Sequence, residues 1–318
     1  MTHSGDNQRV LLIGTRGSTL ASTQAGHVRD GVLDSGARAE LHFVHTPGDA
    51  SQKAQTPVAN IGVGVFTETL RTALANGECD IAVHSFKDLP TAPDTRFRTV
   101  VPERVDPREV LISVDNQSLQ ELPSGAKVGT SAPRRVSQLK AVRSDLEILP
   151  LRGNVGTRMS RVGQDLDAVI LARAGLERIG ELDRAAESID PQLIKPAPAQ
   201  GALSVEVRAD DEAAWNAVKH LDHVPSHARA VAERAVLSTL EAGCTAPVAA
   251  YSTLEEDSEG QHTLTLTGGA YALDGSRRVE ETITVPIDLR ERWHSDAESA
   301  GRSVGRALLT AGAADIMA

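Results

Sequence analysis

The sequence predicts an α/β protein: two similar α/β domains facing one another across a cleft, followed by a smaller α+β domain at the C-terminal end. Three observations carry this. Short apolar runs are followed, over and over, by a tight turn and a helical pattern. The first such unit, ending Ile13-Gly14-Thr15, is echoed by Val128-Gly129-Thr130, each with Ser and Arg a few residues on. Past His262 the hydrophobic period drops to two, as in antiparallel pairs.

The elements follow in order. RVLLIG (9–14) reads as a strand and TLASTQAGHVRDGVLD as a helix capped by Ser18, whose hydroxyl can accept from a free first-turn N–H. ELHFVHT (40–46) is a second strand, and the aperiodic, Gly- and Pro-rich stretch 47–64 a long loop. VFTETLRTALANGE is a helix, and CDIAVHS (79–85) a buried strand ending at FKDLPT. AKVGTSAPRRVSQLKAV, LEILPLRGNVGTRMSRVG and DAVILARAGLERIG are three further strand–turn–helix units, with the short connections of parallel sheets. PAPAQGALSVEVR (196–208) leads into a strand read as a return crossing between the two domains. Residues 228–242 form an amphipathic helix stopping at Gly243-Cys244. HTLTLTGGAYALDGSRRVEETITV is a hairpin about Asp274-Gly275, and AESAGRSVGRALLTAG is the last helix.

Composition narrows the function. With 318 residues, two or three domains are expected. No apolar run approaches the roughly 18 residues of a membrane span, and the start, MTHSGDNQ, lacks the regions of a signal peptide. A cytoplasmic protein is expected. A net charge of −10 argues against a general nucleic-acid binder. The two cysteines, Cys79 and Cys244, are too few for a disulfide framework or a multi-cysteine zinc site.

The 33 basic residues comprise six Lys and 27 Arg. An Arg-rich genome would explain the number; it would not explain the positions. Arg16, Lys87, Arg134, Arg135, Arg152, Arg158, Arg173 and Arg178 all follow strand ends, where ligands of α/β sheets bind beside helix N-termini. Arg143, Arg184 and Arg234 read instead as helix-exterior charges. Because guanidinium groups grip carboxylates in two-pronged fashion, the crowding points to a cleft for a polyanion of moderate size. Asp88, in HSFKDLPT, has two open readings: a cap or ion-pair partner of Lys87, or an acid held in an electropositive site to stabilise a cation or shuttle a proton. The Cys244 thiol, partnered by His84 or His45, would be the nucleophile of a thiol enzyme; a small-anion binding protein without chemistry is another reading of the same architecture.

GTRGSTLASTQA, DIAVHSFKDLPT, VGTSAPRRVSQL, LRGNVGTR, ILARAGLERIG, PAPAQGA and LEAGCTAPV together resemble, in order and spacing, the signatures of the porphobilinogen deaminase (hydroxymethylbilane synthase) family. The resemblance implies two domains like periplasmic binding proteins and a third, cofactor-bearing one, with boundaries at 8–104 plus 200–222, 105–199 and 223–318. It implies an enzyme that joins four porphobilinogen molecules head to tail with loss of ammonia, on a dipyrromethane cofactor held by a thioether to Cys244, and frees hydroxymethylbilane by hydrolysis. Asp88 is then the catalytic acid. Arg16, Ser18, Lys87, Arg134, Arg135, Arg152, Arg158 and Arg178 bind the acetate and propionate groups, helped by Gln24, Ser85, Thr130 and Gln200. The loop 47–64 corresponds to a lid, and a monomer is implied. Cys79, outside every signature, reads as a small buried hydrophobe. The sequence departs from the commonest pattern at Val63, where many relatives have Lys (leaving Lys53 as a substitute), at Ala132-Pro133, where a hydroxyl is usual, and at Ala199, where Gly is frequent.

Overall fold

The structure, a computed structural model, describes residues 9–44, 65–243 and 245–317. Cys244, His45 and the loop 47–64 with Lys53 and Val63 lie outside the described residues. In chain order the first elements are β1 (Val10–Thr15), α1 (Thr19–Asp34), β2 (Arg38–Phe43), α2 (Val65–Ala75), β3 (Ile81–Ser85), β4 (Phe97–Val100), β5 (Glu109–Ser113) and β6 (Lys127–Gly129). Next come α3 (Pro133–Val142), β7 (Glu147–Leu149), α4 (Val155–Met159), β8 (Ala168–Ala172), α5 (Arg173–Arg178), β9 (Glu187–Ile189), β10 (Leu203–Arg208) and α6 (Glu212–Val218). The chain ends in α7 (Val224–Thr239), β11 (Val248–Glu256), β12 (His262–Tyr271), β13 (Arg278–Ile287), α8 (Trp293–Thr310) and α9 (Ala313–Met317).

These elements form two compact units. The first holds the described residues of Met1–His84, Asp94–Pro102 and Leu203–Asp222; the second holds Ser85–Pro93, Glu103–Ala202 and His223–Ala318. The first unit is built on a five-stranded sheet in the order β2-β1-β3-β10-β4. Side chains alternate across it as the pleat requires. Leu11, Ile13 and Ile81 pack with Val28 and Val32 of α1 on one face, while Leu12 and Ala82 meet Leu70 and Leu74 of α2 on the other. Cys79 is fully buried in that second cluster, as expected, and burial pushes its thiol up to about 12.

The second unit contains another five-stranded sheet, β7-β6-β8-β5-β9, and a three-stranded one, β11-β12-β13. The sequence echo occupies equivalent places in the two large sheets. β1 lies between β2 and β3, parallel to both, and β6 lies likewise between β7 and β8. Gly129 ends its strand and Gly14 stands one residue before the end of its own, and each is a glycine for the same reason: a Cβ on Gly14 would stand 2.7 Å from the Cys79 sulfur, and one on Gly129 2.5 Å from Leu166 Cδ1. The Thr that follows is buried in both cases, Thr15 at 1% and Thr130 at 3% exposure.

The three strand–turn–helix units read as parallel are so, β6 running parallel to β7 and β8, but each sheet also holds antiparallel pairs. β4 runs antiparallel to β10, and β5 runs antiparallel to β8 and β9. The return strand does appear: β10 leaves the second unit and inserts between β3 and β4 of the first. Strands β4, β9 and β11 have no counterpart in the reading from sequence; β4 and β9 are only four and three residues long. Helix α7 begins at Val224, with Pro225 in its first turn, and packs with α8 over one face of the antiparallel sheet through Val236, Leu264, Leu266, Val304 and Leu308.

A candidate carboxylate-binding active site

The second unit gathers most of the residues singled out from sequence. After β3 the chain makes a single 3-10 turn, Phe86–Asp88, which buries Phe86 and leaves Asp88 exposed. The turn is pinned from outside. Phe86 N–H donates to the Ala202 carbonyl at 3.0 Å. Arg234 of α7 lays its guanidinium over the Phe86 ring and donates to the carbonyls of Phe86 (2.9 Å), Leu89 (3.1 Å) and Pro90 (2.5 Å). Arg234 is therefore no helix-exterior charge, contrary to the expectation. Arg143 is not one either, since it donates to the carbonyls of Leu119 and Leu122 at 2.6 and 2.8 Å. Both satisfy loop carbonyls that the sequence pattern does not reveal.

Lys87 is half-buried, and its ammonium donates to Gln200 Oε1 at 3.1 Å; Gln200 Nε2 donates in turn to the Pro107 carbonyl at 2.7 Å. Burial lowers the Lys87 amine to about 8, with Arg135 and Arg134 acting in the same direction and Asp88 and Glu109 opposing them. Asp88 has neither a hydrogen bond nor an ion pair among the described residues, so it is not the cap or Lys87 partner of the first reading; it stands in the field of Lys87 and Arg158.

Arg134 and Arg135 open α3, behind Ala132 at the cap position and Pro133 at the first turn. Both are buried, and both face Glu109 at the head of β5: Arg134 Nη2 donates to Oε1 at 2.6 Å and Arg135 Nη2 to Oε2 at 2.8 Å. Their other Nη1 donors go to the Lys195 carbonyl (2.6 Å) and the Ile170 carbonyl (3.0 Å). Burial would raise the Glu109 carboxyl, but Arg135 and Arg134 pull it down to about 2. Burial and the Arg135 charge pull Arg134 down as well, against Glu109. The carboxylate sets the outcome, because a guanidinium keeps its proton in proteins and Glu109 gives its own up.

Donors remain for a ligand. Arg135 Nε and Thr130 Oγ1 are buried without a hydrogen-bond partner among the described residues. Among the described residues Arg158 spends only Nε, on the Gly153 carbonyl at 2.8 Å, and burial followed by repulsion from Arg135 lowers its pKa. Arg178 donates to the Gly201 carbonyl at 2.6 Å, and burial lowers it to about 10. Arg152 is exposed in the turn before α4. Ser85 is half-buried at the end of β3. Arg16, Ser18 and Gln24 belong to the first unit, where they collect at the start of α1; the Ser18 hydroxyl accepts from Ala21 N–H at 3.4 Å, as the cap reading expects, and Gln24 is buried.

A second buried ion pair fixes the loop that carries Gln200. Arg104 makes two hydrogen bonds to Glu233 of α7, at 2.8 and 2.9 Å, and both side chains are essentially inaccessible. Glu233 also accepts from Ala199 N–H (2.8 Å) and Ser252 Oγ (2.6 Å), while Arg104 Nε donates to the Gln200 carbonyl at 2.8 Å. Ala199 sits at φ +60°, the left-handed region where a Gly has no steric cost. That conformation explains why Gly is frequent there. Sequence reasoning missed Glu109, Arg104 and Glu233. Glu109 had left a signal: a charged residue heading a strand whose other four residues are apolar or small is buried, and a buried carboxylate demands cations.

Two family profiles cover the chain, one described as "Porphobilinogen deaminase, dipyromethane cofactor binding domain" over residues 11–216 and one as "Porphobilinogen deaminase, C-terminal domain" over 227–310.

The chain belongs to the porphobilinogen deaminase family.

Among its relatives, the porphobilinogen deaminase of Corynebacterium glutamicum (strain R) is 56% identical over 308 residues, 96% of this chain and 98% of that one. That of Corynebacterium efficiens is 59% identical over 270 residues, 85% of this chain and 89% of that one, and that of Mycobacteroides abscessus 49% identical over 310 residues, 96% and 98%. A solved structure of substrate-binding domain 2 of Lactococcus lactis GlnP overlays 68% of the chain and 90% of its own, with a TM-score of 0.42 at 14% identity. As a porphobilinogen deaminase, the chain polymerises porphobilinogen on a dipyrromethane cofactor and releases hydroxymethylbilane. The described residues fit a group that bears several carboxylates: the unpartnered donors of Arg135 and Thr130 and the crowded, half-buried Arg158 are what such a group would satisfy. No helix among the described residues is long and apolar enough to cross a membrane.

Proposed function

We propose that Asp88 is the catalytic carboxylate, that Cys244 carries the dipyrromethane by a thioether, and that Lys87, Arg134, Arg135, Arg152, Arg158 and Arg178, with Ser85, Thr130 and Gln200, bind the acetate and propionate groups of the cofactor and the growing chain. Arg16, Ser18 and Gln24 contribute from the first unit. The observation that carries this reading is the charge arrangement of the second unit: three cations, Lys87, Arg134 and Arg135, stand around one buried counter-ion, Glu109, a fourth, Arg158, stands in the field of Arg135 and Asp88, and Asp88, exposed, is left without a hydrogen bond or ion pair among the described residues. The bound dipyrromethane supplies a free pyrrole carbon as the point of chain growth. The protein's part is to hold carboxylates on the guanidinium groups and to keep a carboxyl group beside the reacting pyrrole. There the Asp88 carboxylate stabilises positive charge on nitrogen, takes up the proton that the pyrrole loses once the new bond has formed, and in its protonated form gives that proton to the next departing amine.

The same reading takes the chain as three domains, 8–104 with 200–222, 105–199 and 223–318, acting as a cytoplasmic monomer on a small-molecule substrate, without nucleic acid or membrane. Neither other reading is favoured by an observation: His84 Nε2 lies 3.3 Å from Glu206 Oε2 inside the first unit, an arrangement that explains the histidine without a thiol.

Two measurements test the proposal. The intact mass of the purified protein should exceed the chain by two linked pyrrole units localised to the peptide of Cys244, and Cys244→Ser should fold without that adduct; an unmodified mass after expression with ample substrate refutes the attachment. Asp88→Asn keeps the shape and removes the charge. It should fold normally with turnover nearly abolished, and near-normal turnover would sink the assignment.

A further inference from the structure

We infer that Glu109 is a positioning residue of this site: its carboxylate fixes the two guanidinium groups that meet substrate carboxylates and sets the charge that they and Lys87 present. The inference rests on the reading that Lys87, Arg134 and Arg135 bind carboxylates. Glu109 is fully buried in the sheet, opposite Ala172 of β8 and Ile189 of β9, and takes one guanidinium on each oxygen. With the Lys195 and Ile170 carbonyls it holds the first turn of α3 at separate points, so that the donor left over, Arg135 Nε, has a fixed direction. A surface carboxylate would not do this; two guanidinium groups gathered at one buried point repel one another, and the anion between them offsets that repulsion.

The same carboxylate reaches Lys87. The charged groups acting on that ammonium are Asp88 on its own turn, Glu109 on β5, and Arg134 and Arg135 on α3, with neutral Gln200 as its hydrogen-bond acceptor. Glu109 and Asp88 are the two that favour the ammonium, and Glu109 is the buried one. Removing its charge leaves Lys87 facing two cations and makes it give up its proton at lower pH.

The test is competitive trace labelling of substrate-free protein with acetic anhydride, which acylates only the neutral amine, followed by mass spectrometry of the Lys87 peptide across pH. Glu109→Gln should move the Lys87 midpoint down by about one pH unit and raise KM for porphobilinogen by roughly tenfold, the loss of about 1.4 kcal/mol of binding. An unmoved midpoint with unchanged KM overturns the inference. Should Glu109→Gln fail to fold, Glu109→Asp decides: it keeps the charge and draws it back by one methylene, so the midpoint should hold while KM rises several-fold, and an unchanged KM overturns the role. Arg158→Ala separates the two levels, because Arg158 makes its hydrogen bond to Gly153 and none to Glu109. A normal KM in Arg158→Ala refutes the carboxylate site itself; a raised KM there, beside a wild-type Glu109→Gln, refutes Glu109 alone.

Discussion

Glu233→Gln should lower the melting temperature of the second unit by roughly 10 °C while leaving the shape of the side chain intact. Glu233 is wholly buried and accepts four hydrogen bonds, two from Arg104 and one each from Ala199 N–H and Ser252 Oγ. The amide keeps one acceptor oxygen and presents an N–H₂ group to the guanidinium. Arg104, only 1% exposed, is left a buried and uncompensated charge. Breaking such a pair from one side costs about 3 to 5 kcal/mol. For a unit of about 200 residues each kcal/mol is worth roughly 2 to 4 °C. The converse variant, Arg104→Met, should cost a similar amount by stranding the carboxylate. The double variant Arg104→Met with Glu233→Leu should not cost the sum, about 6 to 10 kcal/mol by addition of the single figures. It removes both charges together and strands only the groups that depended on them, the Ala199 N–H, the Ser252 hydroxyl and the Gln200 carbonyl, at about 1 to 3 kcal/mol for a stranded group. Differential scanning calorimetry of the three variants reads this directly. Melting temperatures that add, or a Glu233→Gln variant within about 2 °C of the parent, would refute the argument that this pair is a coupled, desolvated unit.

Three further outcomes follow from the same geometry. Because the Lys87 amine titrates near 8 in the folded protein, well below a free lysine, the folded state releases its proton first; protein stability should rise with pH between about 8 and 10.4, and Lys87→Met should abolish that rise in urea titrations. In the same interval KM for porphobilinogen should climb as the ammonium is lost, and Lys87→Arg should flatten the climb. Ala199→Val places a β-branched residue at φ +60° inside a buried turn, and should cost 2 kcal/mol or more by chemical denaturation, about what left-handed strain imposes on such a residue; Ala199→Gly should be tolerated.

How much of this was legible beforehand depended on which residues carry periodic signals. The strand-turn-helix units, the Ser18 cap and the Gly14/Gly129 echo are local patterns, and they were read correctly because propensity and burial agree at those positions. Strands β4 and β9 are short and lack the strand–turn–helix context that marks the equally short β6 and β7, and the antiparallel run of β5 is set by its pairing with β8 and β9, which its own residues do not announce. The site divides in the same way. Its cations were visible because they follow strand ends; the Glu109 carboxylate that orders two of them was not, because it comes from another strand and its partners lie 25 and 26 residues away. The same holds for Arg104 and Glu233, 129 residues apart. A cation at a strand end can be recognised from the sequence around it, but a counter-ion is defined only by what folding brings to it. In a site that binds carboxylates the distinction matters for function. Under the proposed roles the arginines give affinity, and how tightly each holds a substrate carboxylate depends on how fully an internal carboxylate already occupies it. Arg134 and Arg135 share theirs with Glu109, while Arg158 makes no ion pair among the described residues. Under the proposed roles, Arg158 should therefore hold its carboxylate the more firmly, with Arg134 and Arg135 releasing theirs more readily as the chain lengthens.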